Sequence, residues 1–144
     1  MRMETVLAVT LFVFLAVTSV QGFARGIVSR QCLQCICDQE SYGCTPIGCR
    51  MDGGSQSCGY FQIKRDYYID CGSPGSDWVS CSRDIMCASR CVQAYMRRYG
   101  RGQGCHSNCE SFARLHNGGP QGCRRSSTDR YWNAIVGQGC SANS

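Results

Sequence analysis

Residues 32–58 read CLQCICDQESYGCTPIGCRMDGGSQSC, and in them six cysteines frame the acidic residues Glu40 and Asp52, with Asp38 just before the first. Disulfides among these cysteines would hold the two carboxyl groups in a fixed relation, as a general acid facing an ionised carboxylate requires. Leu33, Ile36, Cys37 and Glu40 fall at i, i+3, i+4 and i+7, so residues 30–41 are predicted as a short helix with one apolar face. Glu40 closes that face, and Tyr42-Gly43 stops the helix. Residues 47–52 and 58–64 read as two short strands joined by a turn at Gly53-Gly54-Ser55.

Outward from this stretch, the first 22 residues read as a secretory signal peptide. Arg2 supplies the positive start, Val6 to Val17 the apolar run, and Val20-Gln21-Gly22 the small-residue cleavage site. The apolar run of about a dozen residues is shorter than the roughly 20 needed to span a bilayer. All 14 cysteines follow this point, within residues 23–144. That density marks a disulfide scaffold, and the even number implies seven bridges in an extracellular, oxidising setting. Cys32-x2-Cys35 has no second CxxC, and His106 and His116 are remote, so no metal site is expected.

The length suits one domain, residues 23–144, whose thin apolar core is supplemented by cross-links. Residues 23–72 carry five Lys/Arg against five Asp/Glu; residues 73–144 carry nine arginines against four acids. Exposed members such as Arg97, Arg98, Arg124 and Arg125 would favour polyanionic partners, among them bacterial envelopes. No nucleic-acid motif accompanies the charge, so nucleic acid is not an expected partner.

Asp77 is a plausible N-cap for a short helix over 78–81. Cys87, Cys91, Tyr95 and Tyr99 recur at i, i+4, giving the clearest helix, residues 84–99. Another is predicted over 107–116, ending at Asn117-Gly118-Gly119-Pro120, and a last one with Ser127 as N-cap. The fold class is α+β: a small disulfide-rich domain of short helices with one β-hairpin.

Glu40, set among apolar neighbours at the negative end of a helix, should hold its proton toward neutral pH. An ordinary exposed glutamate near a helix end is the alternative. Asp52 sits among Arg50, Gly53, Gly54 and Ser55, a polar setting that suits an ionised carboxylate or an Asx-turn. The run Lys64-Arg65-Asp66-Tyr67-Tyr68-Ile69-Asp70 could line a sugar groove or be a strand end with core-facing tyrosines. His116-Asn117-Gly118 reads as a helix C-cap with polar side chains at its mouth.

The 32–58 frame, GYFQIK at 59–64, FARLHNGGP at 112–120 and GCRRSSTDRYWN at 122–133 together resemble the invertebrate-type lysozymes, the destabilase family. The resemblance runs from Cys32 to Cys140. It implies a lysozyme-like domain that hydrolyses the β-1,4 bond between N-acetylmuramic acid and N-acetylglucosamine in peptidoglycan. Glu40 would be the proton donor and Asp52 the nucleophile or stabiliser, with retention of configuration. Substrate contacts would fall on Lys64 to Asp70, Tyr95, His116, Asn117 and Gly118. The implied bridges are Cys32–Cys109, Cys35–Cys140, Cys37–Cys44, Cys49–Cys58, Cys71–Cys91, Cys81–Cys87 and Cys105–Cys123.

No cofactor is implied, and the chain is expected as a monomer or weak homodimer. Some family members also cleave isopeptide bonds, which here would draw on Ser55 or Ser57 with Lys64, the only lysine of the chain. Such a pair needs a buried lysine with a lowered pKa. A cationic antimicrobial or sugar-binding module without turnover is the other alternative. Gln56 stands where the family usually has an apolar residue, which puts the packing behind Asp52 in question.

Overall fold

The computed structural model describes residues 22–144. The leader expected over 1–22 lies, Gly22 apart, outside these residues. Six α-helices lie among the described residues: α1 Arg30–Ser41, α2 Arg65–Asp70, α3 Trp78–Ser82, α4 Ile85–Tyr99, α5 Cys109–Gly118 and α6 Asp129–Gly137. Three short strands, β1 Arg50–Asp52, β2 Ser55–Cys58 and β3 Ile63–Lys64, form an antiparallel sheet in the order β1-β2-β3. The architecture is a small α+β domain. Among the described residues no helix is long and apolar enough to cross a membrane.

Helix α1 starts where the Ser29 hydroxyl accepts the Cys32 N–H at 2.9 Å. It ends where Tyr42 turns into the left-handed region with φ 55°. Its buried face, Cys32, Leu33, Cys35, Ile36 and Cys37, meets α5 and α6 in the core. Each fully buried Leu, Ile or Phe there contributes about 1.5–3 kcal/mol relative to exposure. Helix α4 brings Ala88, Val92 and Met96 to the same core, and Phe61, Ile63, Leu115 and Ile135 complete it. The polar Gln93 is also buried. Its side chain accepts from Val28 N–H at 2.9 Å and donates to Val28 C=O at 2.8 Å, strapping the N-terminal segment to α4.

Seven disulfides cross-link these elements. Cys32–Cys109 joins α1 to α5, and Cys35–Cys140 joins α1 to the C-terminal tail. Cys37–Cys44 and Cys49–Cys58 flank the sheet; Cys71–Cys91, Cys81–Cys87 and Cys105–Cys123 secure the helical side.

The sheet differs from the expected hairpin. β1 and β2 are closed by Gly53 and Gly54 alone, with Asp52 opposite Ser55 and φ values of 58° and 84°. A two-residue turn with both φ values positive is of type I′ and favours glycine at each position. The strand expected over 58–64 is broken into β2 and β3. Gly59 turns with φ 74°, and a Cβ there would lie 1.8 Å from the Ser82 carbonyl oxygen. The chain therefore bends out of the ladder before β3 re-pairs Ile63 with Cys58. The helix expected to begin at 107 begins at Cys109, because Asn108 caps it by accepting the Ser111 N–H at 3.0 Å. The last helix does not use Ser127 as N-cap. A 3-10 turn, Ser126–Thr128, precedes α6, and the Thr128 hydroxyl is spent on the Gly122 and Arg125 carbonyls.

Candidate active site

The C-terminal end of α1, the sheet and the facing helices α2, α5 and α6 enclose an open cavity of about 870 Å³. Glu40 and Asp52 both line it. Glu40 is the penultimate residue of α1, and its side chain is 17% exposed. The Tyr131 hydroxyl donates to Glu40 Oε1 at 2.7 Å, and His116 Nε2 stands 3.5 Å from the same oxygen. Burial raises the Glu40 pKa from its ordinary value to about 7, helped by the nearby Asp52 charge. The Tyr131 hydrogen bond and the cations Arg50 and Lys64 pull the other way but are outweighed.

His116 is held from both sides. Its Nε2 lies 2.8 Å from the Phe61 carbonyl, which can only accept, so Nε2 carries the hydrogen. Nδ1 then accepts from the Tyr67 hydroxyl at 3.1 Å. Burial lowers the His116 pKa to about 4, so the ring is neutral near pH 7 and its approach to Glu40 is no ion pair there. With 3% of its side chain exposed, His116 stands behind Glu40 and offers little surface to a sugar.

Asp52 contrasts with Glu40: its side chain is 66% exposed at the tip of β1. Lys64 reaches over from β3, its Nζ 3.5 Å from the Asp52 carboxylate, 2.6 Å from the Asp52 carbonyl and 2.9 Å from Ser55 Oγ. Arg50, also on β1, donates to the Glu40 carbonyl at 3.0 Å, to Gln62 Oε1 at 2.9 Å and to the Tyr42 hydroxyl at 2.6 Å. The strand bearing Asp52 is thus tied directly to the helix end bearing Glu40. Gln56 lies opposite Met51 in the ladder, and both are exposed toward the cavity. No core lies behind Gln56 to be disturbed.

Residues 65–70 are helical, which divides the candidate sugar contacts by the 3.6-residue period. Arg65, Asp66, Tyr67 and Asp70 line the cavity, as does Lys64 just before them. Tyr68 turns into the core and donates to the Pro74 carbonyl, while Ile69 is exposed away from the cavity. Tyr95 lines it, stacked on Tyr67 with ring centroids 3.7 Å apart. Asn117 lines it too. Gly118 does not: it packs against Thr128, and Gly119 takes its place at the rim. Arg98 is not a free surface charge, since it pairs with Asp70 at 3.6 Å and braces α2.

Two cavity residues had no signal in the sequence. Tyr131 reads as part of an apolar helical face and Arg50 as part of a polar turn. Their partners are 91 and 10 residues away, and only the fold brings them to Glu40.

A destabilase family model matches residues 29–138. The chain belongs to the destabilase family. It is 63% identical over 119 residues to Lysozyme 1 of Crassostrea virginica, covering 83% of this chain and 64% of that protein. The chain thus spans just under two thirds of that relative's length. The crystal structure of Tapes japonica lysozyme superposes with a TM-score of 0.81 at 59% identity, over 85% of this chain and all of that one. Meretrix lusoria lysozyme, solved in complex with Aeromonas hydrophila PliI, gives 0.81 at 58% identity, again over 85% of this chain and all of the other.

Proposed function

We propose that this destabilase-family protein is a lysozyme, a glycoside hydrolase that cleaves the β-1,4 bond between N-acetylmuramic acid and N-acetylglucosamine in peptidoglycan. The observation that carries this reading is the contrast between two carboxyls in one cavity. Glu40 keeps its proton up to about pH 7, whereas Asp52 is exposed with the Lys64 ammonium as counterion. Glu40 protonates the leaving glycosidic oxygen as the C–O bond breaks. Asp52 attacks the anomeric carbon or stabilises its developing charge. Water then enters on the face vacated by the leaving sugar, giving its proton to Glu40, and the configuration is retained. The names and 58–63% identity of the matched lysozymes support the same substrate class.

Asp66, Tyr67, Asp70 and Asn117 are the cavity residues that would meet the sugar rings and their hydroxyls, while Tyr95, 3% exposed, backs the Tyr67 ring on which it stacks. An isopeptidase site is less well supported. Lys64 lies close to Ser55, but its side chain is 39% exposed and pairs with the Asp52 carboxylate, unlike the buried lysine that such a site needs. Ser57 is buried and donates to Gln62 instead. The seven disulfides suit a secreted protein.

Digestion of purified peptidoglycan followed by proton NMR tests this function. New reducing ends should be muramic acid, and the first-formed anomer should be β. Glucosamine reducing ends, or an α anomer appearing first, would overturn the bond or the mechanism assigned here.

The arginines outside the cavity assist the encounter with anionic walls. Replacing Arg97, Arg124 and Arg125 by Gln should slow lysis of whole cells at low salt several-fold, with the difference vanishing as the Debye length falls from about 30 Å at 0.01 M to about 8 Å at 0.15 M. Hydrolysis of an uncharged chitooligosaccharide should be unchanged; equal losses on both substrates would place these arginines in the chemistry.

A further inference from the structure

The two oxygens of Glu40 are not equivalent. Oε1 receives the Tyr131 hydroxyl at 2.7 Å and faces the His116 ring N–H at 3.5 Å. Oε2 has no hydrogen-bond partner among the described residues, yet it is not among the buried unpartnered atoms, of which Ser82 Oγ is the one found there. It is therefore open to the cavity that Glu40 lines.

We infer that Tyr131 is a positioning residue. Its hydroxyl, seconded by the His116 ring, occupies Glu40 Oε1 so that Oε2 is the oxygen that carries the proton and delivers it to the leaving group. This role rests on the proposed function above.

The reason is one of donors and acceptors. A proton on Oε1 would point at the Tyr131 oxygen and reverse that hydrogen bond. The buried phenol O–H would then be left without an acceptor, at a cost of about 1–3 kcal/mol. The His116 N–H, already donated to the Phe61 carbonyl, would face a hydroxyl oxygen, a poorer acceptor than a carbonyl or carboxylate oxygen. A proton on Oε2 leaves both donors satisfied. Tyr131 stays a donor, because burial and the Glu40 charge raise its pKa well above the ordinary value. His116 keeps its tautomer through Tyr67, whose ring is locked by stacking on Tyr95.

The groups that bear on Glu40 come from every surrounding element: Tyr131 on α6, His116 on α5, Tyr67 on α2, Arg50 and Asp52 on β1, and Lys64 on β3. Of these, Tyr131 alone donates a short hydrogen bond to the side chain. Removing it takes a donor from the carboxylate form, so Glu40 should hold its proton to higher pH. With Oε1 unoccupied, the proton also divides between the two oxygens, and only one of them is aimed at substrate.

Tyr131→Phe tests this directly. The alkaline limb of kcat/KM should move up by about one pH unit, the worth of one hydrogen bond to a charged group. kcat should fall about 3- to 10-fold with KM unchanged, as for an interaction that orients a general acid. The Glu40 side-chain carboxyl ¹³C signal, assigned by its loss in Glu40→Gln, should show the same upward shift without reference to activity. 3-Fluorotyrosine at position 131 keeps the ring and strengthens the donor, so it should move both readings down. An unmoved Glu40 titration in both substitutions, beside an inactive Glu40→Gln, overturns the positioning role alone. Turnover retained by Glu40→Gln overturns the acid assignment and this role with it.

Discussion

Glu40→Gln should lower the rate of peptidoglycan hydrolysis about 10²- to 10⁴-fold, the usual contribution of a positioned general acid. The amide keeps the size of the side chain and can still accept the Tyr131 hydroxyl at its oxygen, so thermal stability should change little. The substitution should even relieve the desolvation cost of a carboxylate above neutrality. Burial raises the Glu40 pKa from 4.5 to about 7, so a native state that must ionise Glu40 is penalised above the ordinary value, and the penalty grows until pH passes about 7. Stability of Glu40→Gln relative to wild type should therefore rise with pH over that window.

Activity should follow the opposite branch: kcat/KM in the wild type should fall about tenfold per pH unit above roughly 7, where the proton is lost. Asp52→Asn should likewise remove most turnover while leaving the fold intact. A Glu40→Gln variant with near wild-type turnover on purified peptidoglycan would remove Glu40 from the mechanism.

How much of this site is legible in the chain depends on how far apart its partners lie. Helices α1 and α4 follow from apolar residues at i, i+3 and i+4, and Asp77 caps α3 as its side-chain chemistry suggests. Helix α2 has no such local signal. Tyr67, Tyr68 and Ile69 favour strands by propensity, and the segment becomes one and a half turns of helix because β3 and α4 hold it there. That override decided which candidate contacts reach the cavity, sending Tyr68 inward and Ile69 out. The broken second strand has a similar origin: Gly59 abuts the Ser82 carbonyl, a partner 23 residues away that no local pattern names. Glu40 and Asp52 stand out in the sequence because, inside one cysteine frame, one closes an apolar helical face and the other opens a glycine turn, whereas Asp38 does neither. Tyr131, His116 and Arg50 act on Glu40 from three other elements, and nothing local in the chain distinguishes them from an aromatic core residue, a helix cap and a turn arginine.

Replacing Cys35 and Cys140 together by Ala should be the most destabilising change among the bridges. The bridge spans 105 residues, and in the chain-entropy model releasing a loop of that length costs about 4–5 kcal/mol. Against a typical domain stability of about 5–15 kcal/mol this is a large share, worth a fall in Tm of roughly 15 °C or more. Cys37–Cys44 is the fitting comparison. It also leaves α1, and the Cys37 side chain is as well buried as that of Cys35, but it spans 7 residues. The same model gives about 2 kcal/mol for its removal. The long bridge also ends near α6, where the Gln138 side chain donates to Gln39 and Tyr131 reaches Glu40. Its loss should therefore loosen the acid's hydrogen bond in the surviving folded protein, so that Tyr131→Phe adds less to the Glu40 titration in that background than in wild type. Calorimetry on the two double-Ala variants decides the first point. Equal losses from both would mean that local packing around α1, and not closure of the long loop, sets the strength of these cross-links.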